Sequence, residues 1–344
     1  MGIEYFDGFD EYSTAQVTRY WNSVGSNVTT SNTGRNGSNG LRITGGNGWC
    51  AKGLGAVATR TVGFAMRFAV MPSTGSLAFL GFYDSAATSQ QVTLSISTSG
   101  FIQVRRGSNG GTLLGTSAVA LTLGTWYYFE VTATIHPTAG VVTVYVNGVA
   151  VIILTGQNTR NTANTSTDTV VLCDSQPSNA GSCLGNVGTV DFDDFYCRDD
   201  STMIGDCRVE TVLATGNGAT INWTPLAGSN WQEISRNPAT DDASYNVSAV
   251  AGDVDLYTFA PLPTTTGTVQ AVATVVVVRN DSAGTFTEQP IYRSGGTNYF
   301  GSLRNVPSTS YLAFFDSQTT DPNTSAAWTI TAVNTAQYGI KRIV

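Results

Sequence analysis

The sequence predicts an all-β protein of two sandwich-like domains, an N-terminal jelly-roll sandwich over residues 1–200 and a smaller C-terminal β-sandwich over 203–344. Three observations point there. Short runs of β-branched and aromatic residues recur along the whole chain, separated by Gly, Asn, Ser or Pro, and no window sustains apolar residues at helical spacing. An Asn-Gly step sits between two strongly apolar runs, the signature of a tight hairpin. The length, 344 residues, exceeds one typical sandwich and lets two domains each bury a core.

In the first half the expected strands are Thr61–Met71, Gln91–Ser97, Phe101–Arg105, Trp126–Ile135, Val141–Val146 and Val149–Leu154. The hairpin Val142-Thr-Val-Tyr-Val146, Asn147-Gly148, Val149–Leu154 is the clearest, because Asn-Gly supplies the two positive-φ residues of a type I′ turn. Along Trp126–Ile135, Tyr127, Phe129, Val131 and Ala133 alternate onto one side, which leaves Glu130 on the solvent side. Val187–Cys197 reads as the closing strand. A boundary follows at Arg198–Thr202, where aromatic strands give way to charged and small polar residues. Beyond it, Val269–Val278 and Tyr311–Phe315 are apolar enough for interior strands of a second sandwich. No repeat of 20–50 residues emerges.

Two resemblances add to this reading. Trp126–Glu130, Val144-Tyr-Val-Asn-Gly148 and Asp193-Asp194-Phe195, with the opening Phe6–Phe9 segment, resemble the concanavalin/laminin-G-like jelly roll. That resemblance implies that the opening segment pairs with the closing strand. The second half carries an ordered set: Ile204–Leu213, Asn222–Pro225, Asn230-Trp231, Asp241–Tyr245, Gly252–Phe259, Asp281–Gly284, Tyr292–Tyr299, Asp321-Pro322, Ala326–Trp328 and Val333-Asn334. It is similar to a domain at the C-terminus of uncharacterised phage and prophage virion proteins, often preceded by a lectin-like jelly roll. The resemblance implies a bacteriophage virion structural protein.

Composition narrows the chemistry. Charged residues make up 12% of the chain, the net charge is −7, and Lys52 and Lys341 are the only lysines, so no nucleic-acid partner is expected. The apolar runs are strand length, far short of a membrane span. Met1–Asp10 shows no basic segment followed by an apolar one, so the expected protein is soluble, made in the host cytoplasm without a signal peptide and located in the virion. Five cysteines without C-x-x-C spacing and one histidine argue against structural zinc. Cys173 with Cys183, or Cys197 with Cys207, are the pairs to watch for a disulfide, buried thiols being the expectation.

The candidate sites follow from residue type. A retaining glycosidase needs two carboxylates about 5–5.5 Å apart, and no Glu-x-Asp-x-x-Glu run exists; Glu130 stands alone. His136, directly before Pro137, reads as a turn residue rather than a catalytic base, so no catalytic residue is assigned. No cofactor is expected; were calcium bound, its oxygen ligands would be Asp191, Asp193, Asp199 and Asp200. A glycan would stack on Trp21, Trp49 or Tyr83. The function expected is a non-enzymatic virion structural protein, a tail or host-adsorption component or a capsid-surface decoration. Its partners would be other virion proteins and copies of itself, as a trimer. The alternatives are a lectin-like module recognising host surface glycans and a polysaccharide depolymerase.

Overall fold

Strand-forming runs dominate the computed structural model, which describes residues 2–46, 48–84, 89–173, 188–281, 284–307 and 309–344. The chain divides into two compact units, Met1–Val209 and Glu210–Val344. The described helices are single turns, α1 (Val17–Tyr20), α2 (Asn230–Ile234) and α3 (Ile330–Thr335). None is long and apolar enough to cross a membrane.

The strands of the first unit are β1 (Ile3–Asp7), β2 (Ser23–Val24), β3 (Val28–Ser31), β4 (Gly40–Thr44), β5 (Cys50–Val57), β6 (Thr59–Val70), β7 (Ser76–Asp84), β8 (Ser89–Ser97), β9 (Phe101–Arg106), β10 (Thr112–Ala120), β11 (Tyr127–Thr134), β12 (Gly140–Val146), β13 (Val149–Gln157), β14 (Thr167–Leu172) and β15 (Thr189–Arg198). They form two antiparallel sheets. The first runs β13-β12-β11-β6-β15-β4-β3, with β1 also paired to β15; the second runs β10-β9-β8-β7-β14-β5-β2. Opening and closing strands therefore meet, Asp7 opposite Phe195 and Phe6 opposite Tyr196. Between the sheets, alternate residues interlock: Phe64 stacks on Phe129 at 5.4 Å and meets Phe79 of the facing sheet edge-on at 6.5 Å. Each fully buried Phe of this kind contributes about 1.5–3 kcal/mol. The hairpin turn has the expected backbone, with Asn147 at φ 49° and Gly148 at φ 75°.

The first unit runs past Arg198–Thr202 because residues 199–209 fold back onto the outer face of its first sheet. Tyr196 lies flat over Gly63, where a Cβ would stand 2.0 Å from the ring, and packs with Tyr128, Ile204 and Cys207. Glu130 is here and not on the solvent side: it is 4% exposed, and its Oε1 accepts from Tyr196 Oη (2.6 Å) and from the backbone N–H groups of Ile204 and Gly205 (2.8 Å each). Alternation placed Glu130 opposite the core correctly, but the returning chain covers that face. Glu130→Ala is expected to cost about 2–3 kcal/mol by orphaning the buried Tyr196 hydroxyl and two half-buried N–H groups. Hydrogen exchange at the Ile204 and Gly205 amides should accelerate; unchanged protection there would refute this anchoring role. Cys50, Cys197 and Cys207 are free thiols, and burial pushes Cys197 up to about 11 and Cys207 to about 12. Cys183 lies outside the described residues.

In the second unit the strands are β16 (Ala214–Ile221), β17 (Thr224–Pro225), β18 (Asn246–Val247), β19 (Val254–Phe259), β20 (Val272–Val278), β21 (Phe286–Ser294), β22 (Thr297–Phe300), β23 (Arg304–Val306), β24 (Leu312–Gln318) and β25 (Gln337–Arg342). The main sheet runs β16-β19-β25-β21-β22, with β23 also on β21, while β20 pairs only with β24. β20 and β24 correspond to the two runs read as interior strands. They form instead a half-buried ribbon, because only one of its faces packs on the main sheet: Val272 against Tyr292, and Val276 and Phe314 against Phe286.

Candidate functional site

The closing strand β15 carries Asp191 and Asp193, two of the aspartates that sequence reasoning singled out, with Asp199 and Asp200 just beyond its end, and their neighbours decide their fate. Asp191 sits opposite Arg42 on one side and Arg67 on the other. Arg42 Nε donates to Asp191 Oδ1 at 2.7 Å and Arg67 Nη2 to Oδ2 at 2.6 Å, so two guanidinium groups occupy a fully buried carboxylate. Asp193 accepts from the Arg35 N–H (2.6 Å), Ser38 Oγ (2.8 Å) and the Asp194 N–H (2.8 Å), while burial and the Asp194 charge lift it to about 7. Asp194 is paired with Arg35 and caps the Val209 N–H. Asp199 accepts from the Gly2 N–H and Asp200 is held by Arg198, whose hydrogen bonds pull it down to about 2. The four proposed calcium ligands therefore serve separate structural tasks, and no group of three metal-binding side chains occurs among the described residues. His136 Nδ1 accepts from the Thr138 and Ala139 N–H groups, which fixes the turn before Gly140.

The glycan-stacking candidates separate. Trp21 is a core residue, 1% exposed, with its indole N–H on Asp7. Tyr83 is fully buried as well, with its Oη accepting from Gln90 Nε2 at 2.8 Å, so it presents no ring face to a sugar; it packs with Ala51, Val171 and the half-buried Trp49 on the outer side of the second sheet. Register fixes that face. Ala51, Val171, Gly81, Thr93, Arg105 and Leu113 are successive cross-strand partners, and Ala78, Ser95, Gln103 and Thr116 form a second row. The alternating residues Leu80, Leu94 and Val104 point to the core. The outer rows thus collect hydroxyls, an amide, a guanidinium and a half-buried indole, and they hold no carboxylate. Thr93 and Ser95 in these rows are fully buried, and the accessible polar groups of the face are those of Gln103, Arg105 and Thr116.

Several of its polar groups are under-satisfied. Arg105 Nη2 donates to Gln103 Oε1 and Nη1 to the Gly111 carbonyl (3.0 Å each), but its Nε has no partner. Ser95 is fully buried and its Oγ has no partner either. Each such group costs about 1–3 kcal/mol. No ion pair joins Arg105 to a carboxylate among the described residues. Thr93, Ser95, Gln103 and Arg105 escaped sequence reasoning because polar residues alternating along a strand read as plain solvent-side positions; only the pairing of β8 and β9 gathers them. The one signal available was Arg105-Arg106, a basic step in a lysine-poor chain.

No protein-family model matches the chain, and no curated protein sequence does. Solved structures match at low similarity. A cellulose-induced protein, Cip1, is 16% identical over 53% of this chain and 89% of its own, with a TM-score of 0.39. The alginate lyase Aly36B is 14% identical over 59% of this chain and 94% of its own, with a TM-score of 0.38. A Trypanosoma rangeli sialidase in complex with 2,3-difluorosialic acid is 16% identical over 51% of this chain and 28% of its own, with a TM-score of 0.37. At these values no role is transferred from them.

Proposed function

We propose that this chain is a non-enzymatic structural protein of a bacteriophage virion, a tail or host-adsorption component or a decoration of the capsid surface. The C-terminal half supports the phage assignment through its ordered resemblance to virion proteins. The observation that carries the non-enzymatic reading is the commitment of the buried carboxylates of β11 and β15. Glu130, Asp191, Asp193 and Asp194 each hold backbone or guanidinium groups in place, which leaves none of them aimed at a substrate. Other virion proteins and further copies of the chain, as a trimer, are its partners in this reading.

A second reading, glycan recognition on the host surface, is favoured by one observation. The half-buried Trp49, Gln103 and Arg105 lie on the outer side of the second sheet, an indole, an amide and a guanidinium suited to a polyhydroxyl ligand. The two readings join in an adsorption protein. Quantitative mass spectrometry of purified particles should find the chain in fixed multiples per particle. The purified chain should bind host envelope polysaccharide saturably without lowering its viscosity. Absence from particles would overturn the virion reading, and a progressive fall in viscosity would replace recognition by depolymerisation.

A further inference from the structure

One edge of the first sandwich carries almost no charge. Charged residues make up 12% of the sequence, yet between Arg106 and Arg160 the only one is Glu130, which is buried under the Ile204 and Gly205 amides. That segment supplies β10, the edge strand of the second sheet, and β13, the edge strand of the first. The two edges come together, since a Cβ on Gly115 of β10 would stand 3.0 Å from Leu154 Cδ2 of β13. Each strand pairs on one side only, and neither makes a backbone–backbone bond outside that pairing among the described residues. Ser117 is the only buried residue of β10, and Ile152 the only one of β13. Six large apolar side chains of the first unit are exposed among the described residues, and five of them belong to this segment. They are Leu113 and Val119 of β10, Leu123 of the following turn, and Val149 and Ile153 of β13. Val119, Val149 and Ile153 are 66%, 65% and 63% exposed.

We propose that the β10–β13 edge is the surface through which copies of this chain meet. The inference rests on the reading in which the chain assembles with itself, and it names the contact. Charge selects the occupant. The chain carries a net charge of −7, so two copies repel where their ordinary surfaces approach. Along residues 107–159 neither copy brings an exposed charge, so apolar burial there meets no like-charge opposition. A basic partner would be drawn to the acidic surface elsewhere and would gain no attraction at this edge. Edge strands that face water are usually guarded by Lys, Pro or other charges, and β10 and β13 contain none of them. An unguarded apolar edge of this kind marks a contact surface rather than ordinary scattered exposure.

The test is sedimentation velocity of the full chain at about 100 μM, above the micromolar weak end of ordinary interfaces. The wild type should sediment as an oligomer. Lowering the ionic strength from about 0.15 M to about 0.01 M lengthens the Debye length from about 8 to about 30 Å. Association should then weaken, because the acidic copies repel more strongly while the neutral contact is unchanged. Val119→Lys and Ile153→Lys should each raise the dissociation constant at least about tenfold without lowering the melting temperature, since both side chains are exposed. Val70→Lys, at the sixth exposed apolar position, lies outside the segment and should leave association as it is. In the wild type, dilution to monomer should speed hydrogen exchange across residues 112–120 and 149–157, a readout that needs no variant. An oligomer indifferent to both lysines, or one that low salt strengthens, overturns this surface and leaves self-assembly standing. A chain that stays monomeric at that concentration overturns the contact and the self-assembly with it. Membership of the particle is decided separately, by the chain's presence in purified particles.

Discussion

Asp7→Ala is expected to lower the stability of the first unit by about 3–5 kcal/mol, enough to remove much of a typical domain's margin. Asp7 is 1% exposed and is the shared acceptor of four donors. Its Oδ2 takes Tyr5 Oη (2.9 Å), Tyr12 Oη (2.8 Å) and Trp21 Nε1 (2.9 Å), and its Oδ1 takes the Phe9 N–H (2.7 Å). Tyr5, Phe9, Tyr12 and Trp21 are themselves buried and share ring contacts, Tyr5 edge-on to Trp21 at 5.9 Å and Phe9 stacked on it at 6.1 Å. Alanine would strand these donors in a dry cluster where only part of the loss can be recovered by relaxation. Asp7→Asn should be nearly as harmful, since an amide NH₂ in place of Oδ2 would face three donors. Urea unfolding followed by tryptophan fluorescence should show a lower midpoint for both variants. A midpoint within error of the wild type would mean that the network contributes little.

The same cluster shows what was legible beforehand. The opening strand's pairing with the closing strand followed from the jelly-roll resemblance, and the hairpin at Asn147-Gly148 followed from local turn chemistry. Both depend on patterns that are short in sequence or shared by a large fold class. Trp21 was open to two uses, stacking or core, and the sequence alone does not say that Asp7 lies beside its indole. β5, with Gly53 and Gly55 among its small residues, gives little strand signal, although it supplies one side of the Trp49–Tyr83 cluster. Glu130 shows the complementary failure: its period was read correctly, but a segment some 70 residues later buries it. The candidate recognition face was the least legible feature. Its polar residues come from two strands, β8 and β9, and their convergence is a property of register, which no single strand encodes. β20 and β24 were recognisable as apolar strands. Their place in a ribbon with one packed face depends on how many strands the neighbouring sheet already contains.

Glu288 sets the largest pH effect expected in the second unit. Register places it beside Arg304 on β23 and Arg342 on β25, so the three side chains share one face of the main sheet. Neither guanidinium bonds to it: Arg304 Nη2 donates to the Phe315 carbonyl (3.1 Å) and Arg342 Nη1 to the Ser248 carbonyl (2.6 Å). Glu288 is fully buried with both carboxyl oxygens unpartnered, between the Phe286 and Tyr292 clusters. Burial lifts its pKa from the ordinary 4.5 to about 8, the Arg304 charge opposing the rise and Asp316 adding to it. The fold therefore favours the protonated acid. Its stabilising contribution is complete below about pH 4.5 and is lost as the pH rises through about 8. The loss should amount to a few kcal/mol. Thermal unfolding of the full chain, with hydrogen exchange resolving the second unit, should show that unit weakening from pH 5 to pH 9. Glu288→Gln mimics the neutral acid, so it should flatten this dependence and leave the unit more stable than wild type at pH 9. A glutamine variant with the wild-type pH slope would mean that water or the neighbouring arginines already satisfy the carboxylate. In that case the buried acid would be ionised in the fold and the arginines, not protonation, would hold β21 between its neighbours.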